Sequence, residues 1–561
     1  MEPLLNIKNL SVDFITSQQT THAVKNISLQ VFRGEIVALV GESGSGKSVT
    51  SLTILQLLPQ PPALYPSGEI IFQEEGSAPV NLLKIHSSKL REIRGAKIAM
   101  IFQEPMSSLN PVMTCGRQVM EALLVHKNLT TAEAKKQTIE WFAKVKLPQP
   151  GIIFNRYPHQ LSGGQKQRVM IAMAMCCQPS LLICDEPTTA LDVTVQKTIL
   201  QLIKELQQQQ NMGVIFITHD LGVVKEIADR VAIMYKGEIV EQNTAATIFK
   251  EAHHPYTKAL IACRPALHPK GEKLPVVSDF LQQDEKKPQA ATVYETLSNN
   301  ETILEVENLT VQFPAKTNLF GKTLQYFTAV DDVSFEIYRG ETLGLVGESG
   351  CGKTTLGRTI LGLVPPSAGK IALNEKDITG LSKEELKKLR KDVQLVFQDP
   401  FSSLNPRLTI GTAIAEPMKI SGLETDPGQR KKRVAELLDR VNLSSNMMNR
   451  YPHEFSGGQR QRIVIARALA LNPDFLVCDE SVSALDVSVQ AQVLNLLNEL
   501  KNDLGLTMLF ISHDLSVVRY MSDRIMVMNK GKIVESGLAE EVYHHPKNSY
   551  TQQLIGAIPN L

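Results

Sequence analysis

The feature that most constrains this chain is a glycine-rich loop that occurs twice. Each copy lies between a short apolar run and a segment compatible with a helix. The two copies read Gly41-Glu42-Ser43-Gly44-Ser45-Gly46-Lys47-Ser48 and Gly347-Glu348-Ser349-Gly350-Cys351-Gly352-Lys353-Thr354. Both fit the pattern G-x-x-x-x-G-K-[ST], in which glycines let the backbone wrap tightly and point successive N–H groups at one anion. The pattern therefore predicts two phosphate-binding loops, each followed by a helix whose N-terminus adds free donors.

The lysine and the hydroxyl residue that end each loop have different expected roles. Lys47 and Lys353 are placed to reach the β- and γ-phosphates of a nucleotide. The hydroxyls of Ser48 and Thr354 are placed to bind Mg²⁺. A chance match is a poor explanation, because the strand, the loop and the helix all occur twice in the same order.

An internal repeat accounts for the length of 561 residues. The two loop lysines are 306 positions apart, whereas Glu186 and Glu480 are 294 apart, so the halves keep one register apart from an insertion in the first. A stretch rich in proline, glutamine and charged residues lies between them and is typical of a linker. We predict a first domain at 1–264, a linker at 265–301 and a second domain at 302–561.

Composition narrows the class of protein. The formal net charge is +1, so no basic excess indicates binding to nucleic acid. The seven cysteines form no CxxC pair, which favours a reducing cytosol over a disulfide framework. The N-terminus lacks the features of a signal peptide, and no apolar run approaches the roughly 20 residues needed to span a bilayer. We therefore expect a soluble or peripheral protein.

In each half, short apolar runs alternate with amphipathic segments, which predicts an α/β domain with a mostly parallel sheet. The strand pattern is interrupted between Met106 and Pro158, where a helical subdomain is expected. The helical patterns of this region and of its second-half counterpart are Gln118–Lys127, Thr131–Lys146, Ile410–Ile420 and Gly428–Val441. Lys236-Gly237 and Lys530-Gly531 lie between β-rich runs and predict hairpin turns, so each domain should also contain antiparallel strands.

A Ser-Gly-Gly-Gln run precedes a helical pattern in both halves. In this run the serine can cap the helix, and the N–H groups of the glycines are left free. The two copies are Ser162-Gly163-Gly164-Gln165 and Ser456-Gly457-Gly458-Gln459. A single copy would be explained as well by an ordinary capped helix.

Paired carboxylates follow a buried-strand pattern in both halves, at Asp185-Glu186 and Asp479-Glu480. The carboxyl end of a parallel strand is where α/β sheets place ligands. One carboxylate of each pair can hold Mg²⁺, and the next can orient or deprotonate an attacking water. His219 and His513 each end the next strand-like run and should reach the same edge of the sheet.

Together these motifs resemble those of a tandem pair of ATP-binding-cassette (ABC) ATPases, and the resemblance covers nearly all of the chain outside the predicted linker. It implies two P-loop NTPase domains that bind ATP and Mg²⁺ and hydrolyse ATP. Glu186, Glu480, His219 and His513 then correspond to catalytic residues, and the two glycine-rich loops and the two Ser-Gly-Gly-Gln signatures to nucleotide-binding residues. The metal ligands implied are Ser48, Gln103 and Asp185 in the first half and Thr354, Gln398 and Asp479 in the second. Ala190-Leu191-Asp192 and Ala484-Leu485-Asp486 match D-loops.

Finer features resemble the peptide-import branch of that family, namely Gln103–Pro111, Leu191–Gln196 and His254–Leu260. This implies a transporter subunit on the cytoplasmic face of the inner (plasma) membrane. Its partners would be two permease subunits and an extracytoplasmic solute-binding protein, and the two halves would pair head-to-tail around two ATP molecules. The resemblance leaves open whether the cargo is a peptide, nickel, glutathione or an antibiotic peptide, and whether both sites turn over equally.

An alternative is a cytosolic ABC ATPase that acts on ribosomes or nucleic acid instead of a transporter. A ribosomal protein of this kind would need a long charged helical linker, and a DNA-repair protein would need zinc modules with paired cysteines. The chain matches neither pattern, so transport is the preferred interpretation and we expect no nucleic-acid partner.

Two smaller features complete the expectations. Some relatives carry a cysteine cluster after the His-Pro-Tyr-Thr segment that could hold iron and sulfur, but here Cys263 stands alone, so we expect no iron–sulfur cluster. For the aromatic ring that stacks on adenine, Phe14 is the candidate in the first half. Phe313, Tyr326 and Phe327 compete for this role in the second half.

Overall fold

The structure is a computed structural model that describes residues 2–16, 19–103, 108–188, 191–281, 301–317, 323–483 and 485–558. Within these ranges the chain divides into two compact units: residues 2–191 and 195–261 form the first, and residues 192–194 and 262–558 form the second. None of the helices in the described ranges combines the length and the apolar character that crossing a membrane requires.

The first unit is built on a six-stranded sheet, counted over the described residues. In spatial order its strands are β10 (Glu238–Thr244), β9 (Arg230–Tyr235), β3 (Ile36–Val40), β8 (Gly213–Thr218), β7 (Leu181–Asp185) and β6 (Ile98–Ile101). All neighbours pair in parallel except β9 and β10, which form the hairpin predicted at Lys236-Gly237. Strands β3, β7 and β8 are buried along their whole length. This explains their continuous apolar sequences, because a parallel sheet is covered on both faces.

A second, antiparallel sheet lies in the same unit. Its strands, in spatial order, are β2 (Thr20–Val31), β1 (Leu5–Ile15), β4 (Ala63–Phe72) and β5 (Val80–Asn81). One core cluster joins the two sheets, since buried side chains of β1 and β2 pack with Val37 and Leu39 of β3. The predicted antiparallel portion is therefore confirmed.

The described helices of the first unit include a separate helical subdomain over residues 115–154. The helices are α1 (Lys47–Ile54), α2 (Ser87–Ile93), α3 (Cys115–His126), α4 (Thr131–Lys144), α5 (Pro150–Phe154), α6 (Gly163–Met175), α7 (Val193–Gln210), α8 (Leu221–Ile227), α9 (Ala245–Lys250) and α10 (Pro255–Ala262). A capping box between Thr130 and Glu133 starts α4. Trp141 and Phe142 of α4 pack into one core with Val119 of α3, which fixes the subdomain as a folded part of the cassette.

The second unit repeats this plan. Its central sheet, in spatial order, is β16 (Val393–Val396), β17 (Phe475–Asp479), β18 (Thr507–Ser512), β13 (Thr342–Val346), β19 (Arg524–Asn529) and β20 (Lys532–Leu538). The antiparallel sheet is β12 (Thr323–Tyr338), β11 (Thr302–Thr317), β14 (Ala368–Leu373) and β15 (Lys376–Asp377). The predicted fold class, two tandem α/β domains with parallel and antiparallel portions and inserted helices, is confirmed.

Most helices of the second unit have a counterpart in the first, in the same order along the chain. The helices of the second unit are α11 (Val277–Leu281), α12 (Lys353–Ile360), α13 (Lys383–Asp392), α14 (Pro400–Ser403), α15 (Ile410–Ser421), α16 (Pro427–Arg440), α17 (Gly457–Leu469), α18 (Val487–Leu504), α19 (Leu515–Met521), α20 (Ala539–His544) and α21 (Ser549–Gly556). Helices α15 and α16 form the second helical subdomain, at the positions that the sequence predicts.

Residues 262–281, which we name the strap, continue from α10 and belong to the second unit. The strap packs against α18, α19 and the residues after α19. The buried Leu274 exchanges two backbone hydrogen bonds with the side chain of Asn495, at 2.9 and 2.8 Å. The Tyr520 hydroxyl donates to the carbonyl of Glu272 at 2.7 Å, and Lys270 forms an ion pair with Asp523. The rest of the predicted linker, residues 282–300, lies outside the described residues.

Candidate active sites

The two glycine-rich loops connect β3 to α1 and β13 to α12, as the sequence predicts. A side chain at Gly41 would come within 2.1 Å of the Met234 carbonyl oxygen, and one at Gly46 within 2.6 Å of the Ala23 carbonyl oxygen. Gly46 also has a φ of 104°, which favours glycine. These positions are glycine because the loop runs against neighbouring backbone on one side, which leaves its other side free to approach a ligand.

Each loop lysine is buried and points back into its own loop. Lys47 Nζ donates to the carbonyl oxygens of Gly41 at 2.7 Å and Glu42 at 2.8 Å. Lys353 Nζ donates to Gly347 at 2.7 Å and Glu348 at 2.9 Å. A cation held inside a glycine-rich loop at the N-terminus of a helix suits the binding of a phosphate group.

The hydroxyl residue of each loop contacts the aspartate at the end of a neighbouring strand. Ser48 donates to Asp185 Oδ1 at 3.1 Å, and Thr354 donates to Asp479 Oδ1 at the same distance. Burial raises the pKa of Asp185 to about 6, although the hydrogen bond from Ser48 lowers it, and burial likewise raises the pKa of Asp479.

A buried carboxylate of this kind is stabilised by a nearby cation. Carboxylate and hydroxyl oxygens are also ligands that Mg²⁺ prefers. The residues therefore fit a Mg²⁺ ion held by Ser48 and Asp185 in the first cassette and by Thr354 and Asp479 in the second.

The glutamate after each aspartate lies close to two other predicted site residues, a glutamine and a histidine. In the first cassette, Gln103 donates its amide N–H to Glu186 Oε2 at 3.1 Å, and His219 Nδ1 lies 3.3 Å from the same oxygen. In the second, Gln398 Nε2 lies 2.7 Å and His513 Nδ1 3.5 Å from Glu480 Oε2. The glutamines, which the family resemblance places among the metal ligands, thus lie beside the glutamates.

The backbone at both glutamates is strained. Glu186 and Glu480 each have a φ of 47°, in the left-handed region that L-residues with side chains rarely adopt. Their N–H groups are held by the carbonyl oxygens of Ile217 and Ile511 on the adjacent strand. Strain of this kind is maintained by surrounding structure and is concentrated at functional sites.

The second glutamate and its histidine shift each other's pKa. Burial alone would raise the pKa of Glu480, but the hydrogen bond and positive charge of His513 lower it below its usual value. Burial would lower the pKa of His513, but Glu480 raises it. An ionised carboxylate at this position is able to accept a proton from water.

The Ser-Gly-Gly-Gln signatures start α6 and α17. Ser162 accepts a hydrogen bond from the Gln165 N–H and the Gln165 side chain accepts one from the Ser162 N–H, which forms a capping box, and Ser456 and Gln459 repeat it. The side chains of Val195 and Val489 approach Gly164 and Gly458 so closely that no larger residue fits. Ser162 and Ser456 themselves are exposed.

Two tyrosines contact the loops and were not singled out from the sequence. Tyr256 on α10 accepts a hydrogen bond from the Glu42 N–H at 3.0 Å, and Tyr550 on α21 accepts one from the Glu348 N–H at 3.1 Å. Tyr256 belongs to the His-Pro-Tyr-Thr segment already quoted as a family feature. The sequence offered one signal: a tyrosine followed by a threonine occurs at the same distance after His219 and after His513.

The remaining predictions are only partly described by the structure. Phe14 and Phe313 lie at matching positions of the two antiparallel sheets. Phe14 pairs with Thr21 between β1 and β2, and Phe313 pairs with Phe327 between β11 and β12. Which ring stacks on adenine stays a prediction. The alanines of both predicted D-loops, Ala190 and Ala484, lie outside the described residues. Cys263 is fully buried and is not part of a disulfide among the described residues.

The chain is similar to known proteins along nearly its whole length. The sequence profile of the ABC transporter family matches residues 24–189 and 330–483. The profile of the oligopeptide/dipeptide transporter C-terminal region matches residues 240–289 and 534–561. The chain is 49% identical over 559 residues to the glutathione import ATP-binding protein GsiA of Escherichia coli K12, covering 99% of this chain and 89% of that protein. It is 48% identical over 558 residues to GsiA of Salmonella typhimurium LT2, with the same coverage.

Among solved structures, the chain is similar to the dimeric ATP-binding cassette MJ0796 in its post-hydrolysis state with ADP and phosphate. The two share 29% identity, with a TM-score of 0.39, over 42% of this chain and 99% of that one.

Proposed function

Because this chain belongs to the ABC transporter family and carries two ATPase cassettes, we propose that it drives the import of glutathione or a related small peptide. The observation that supports this best is the similarity to GsiA, which extends over 99% of the chain and therefore over both cassettes. The match to the oligopeptide/dipeptide transporter C-terminal region, found once in each half, supports the same class of cargo.

The residues of each site have different proposed roles in ATP hydrolysis. We propose that Lys47 and the loop N–H groups hold the β- and γ-phosphates, and that Ser48 and Asp185 hold Mg²⁺, which neutralises charge on the phosphates when bound. Glu186 orients the attacking water and takes up its proton. Its contacts with Gln103 and His219 keep its carboxylate in place.

The second site is proposed to use the equivalent residues Lys353, Thr354, Asp479, Glu480 and His513. Because both sets are complete, neither cassette has lost a group that hydrolysis requires. We therefore propose that both cassettes bind and hydrolyse ATP.

The coupling of hydrolysis to import needs partners that other chains supply. We propose that the two cassettes close head-to-tail around two ATP molecules, so that each phosphate loop is completed by the signature of the other cassette. The γ-phosphates favour the closed arrangement, and hydrolysis releases it. Two permease subunits in the inner membrane would follow this cycle, and a solute-binding protein on the other side would supply the cargo.

Uptake measurements in the native host test this proposal. A strain lacking this chain is complemented either with the parent protein or with the Glu186→Gln, Glu480→Gln variant, and uptake of labelled glutathione, a dipeptide and an oligopeptide is measured. We expect glutathione uptake to be lost on deletion and restored by the parent protein alone. Glutathione uptake that is unaffected by the deletion would contradict the proposed cargo, and unaffected uptake of all three solutes would contradict import of this class.

A further inference from the structure

In the C-terminal part of each cassette, a tyrosine hydroxyl contacts the phosphate loop of the same cassette. Tyr256 is fully buried, and its ring packs on Tyr235 with centroids 4.2 Å apart. Its hydroxyl oxygen accepts the Glu42 N–H, across 214 positions of sequence. Tyr550 makes the same contact with Glu348 across 202 positions. Burial raises the pKa of Tyr550, so it remains a neutral hydroxyl.

The turn that precedes each tyrosine is held by hydrogen bonds to a glutamate. In the first cassette both oxygens of Glu241 accept backbone N–H groups, from His253 at 2.9 Å and His254 at 3.1 Å. His254 Nδ1 then accepts the Tyr256 N–H at 3.1 Å. Glu241 thus fixes the turn that precedes α10, and His254 fixes the start of the helix that carries the tyrosine.

The second cassette builds the same turn with different residues. Glu535 accepts the N–H groups of Lys547 at 2.8 Å and Asn548 at 3.1 Å, and Asn548 Oδ1 accepts the Tyr550 N–H at 2.9 Å. Lysine, asparagine and serine replace the histidines and proline of the first turn. The two turns therefore share the glutamate, the tyrosine and its contact with the loop, although the residues between them differ.

The residue that each tyrosine holds is also one of the two whose carbonyl oxygens accept hydrogen bonds from the loop lysine. The Glu42 carbonyl oxygen accepts hydrogen bonds from Lys47 Nζ at 2.8 Å and from the Ser45 N–H at 3.1 Å. The Glu348 carbonyl oxygen accepts them from Lys353 Nζ and the Cys351 N–H. A tyrosine hydroxyl on the N–H side of this residue thus limits how the carbonyl on its other side can move.

We propose that Tyr256 and Tyr550 are positioning residues, which hold each phosphate loop and its lysine in the geometry that binds nucleotide. This rests on the proposed nucleotide sites and gives a role to the region matched by the oligopeptide/dipeptide transporter C-terminal profile. Loss of the hydroxyl removes one acceptor from a loop N–H without changing the packing of the ring. The expected result is weaker nucleotide binding with little change in turnover at saturation.

The test is the full chain with Tyr256→Phe and Tyr550→Phe, compared with the parent protein. We expect affinity for a fluorescent ATP analogue to fall about threefold to tenfold, the range that loss of one hydrogen bond gives. The KM for ATP should rise by a similar factor, with kcat within about twofold of the parent value. Hydrogen exchange at the loop peptides containing Glu42 and Glu348 should become faster.

Tyr520→Phe is the matched control, because it removes a buried tyrosine hydroxyl that bonds the strap at Glu272. Its nucleotide affinity should equal that of the parent protein. Equal weakening in the control would show a general effect of lost hydroxyls and overturn the proposal, as would parental affinity in the double phenylalanine variant. The variant with Lys47→Ala and Lys353→Ala tests the proposed nucleotide sites separately from the role of the tyrosines. If this variant still binds nucleotide normally, the proposed sites themselves are wrong.

Discussion

The side-chain amide of Asn495 binds the backbone of Leu274 on both sides, accepting its N–H and donating to its carbonyl oxygen. Asn495 lies on α18 and Leu274 in the strap, 221 positions earlier. Both residues are almost completely buried. At the matching position of the first cassette the residue is Gln201, which is exposed. The surface that receives the strap is therefore a property of the second cassette.

Asn495→Ala should destabilise the second unit. The substitution leaves a buried N–H and a buried carbonyl oxygen without these partners, and each such loss costs about 1–3 kcal/mol. We expect a lower melting temperature and faster proteolysis within residues 262–281. Gln201→Ala, the control, should change the free energy of unfolding by less than about 0.5 kcal/mol. Equal effects of the two substitutions would show that the strap contact contributes nothing specific.

Asp523 should make the stability of the second unit sensitive to acid. Burial raises its pKa, but the charges of Lys501 and Lys270 and the hydrogen bond from Lys270 lower it below the usual value of about 3.9. The ionised carboxylate therefore stabilises the folded state above pH 4, and this contribution is lost as the pH falls through the lowered pKa. Asp523→Asn should be less stable at neutral pH and lose less additional stability on acidification below pH 4.

The control for this experiment is Asp229→Asn in the first cassette. Asp229 accepts the Ile36 N–H at 2.8 Å, as Asp523 accepts the Thr342 N–H at the same distance, but Gln207 stands where the second cassette has Lys501. The melting temperatures of the parent protein, Asp523→Asn and Asp229→Asn are measured between pH 3 and pH 7, which distinguishes the effects of the two substitutions. An acid profile of Asp523→Asn that parallels that of the parent protein would contradict the assignment.

Binding and turnover should separate at the two glutamates. Glu186→Gln with Glu480→Gln should bind ATP as the parent protein does, while hydrolysis falls about 100-fold or more, because an amide cannot act as a general base. Lys47→Ala with Lys353→Ala should instead lose nucleotide binding. Nucleotide titration and phosphate release measure the two effects, and hydrolysis by the glutamine variant at the parental rate would refute the proposed base.

The proposed head-to-tail closure can be tested with the native cysteine of the second phosphate loop. In that arrangement a Ser162→Cys variant should form a disulfide with Cys351 when ATP is bound, since bonding requires the α-carbons to come within about 7 Å. Ser456→Cys is the control, because the loop it would face has Ser45 at the matching position. A protease site inserted between residues 282 and 300 allows the joined halves to be seen on a gel.

Cys176 and Cys177 should first be replaced by serine, because their sulfur atoms lie 3.9 Å apart and the two thiols could react with each other. Cross-linking in both variants, or in neither with ATP present, would count against the closed arrangement. Cross-linking of Ser162→Cys alone would support it.

The sequence by itself determined the repeat, the α/β fold class and the phosphate loops. These features are encoded by residues close together in the chain: apolar runs long enough for a buried strand, glycines such as Gly46 that alone adopt the required backbone, and serines such as Ser162 that cap the following helix. Local spacing also identified Asp185 and Glu186, because they end a buried strand.

Tertiary structure decided what those residues contact. Tyr256 reaches Glu42 only because β9 and β10 follow β3 in the sheet, so that the turn carried by Glu241 lies next to the loop. Leu274 finds Asn495 only when the strap lies on the folded second unit. Contacts between positions some 200 residues apart leave no periodic pattern in the sequence, because they depend on the order in which strands and helices pack.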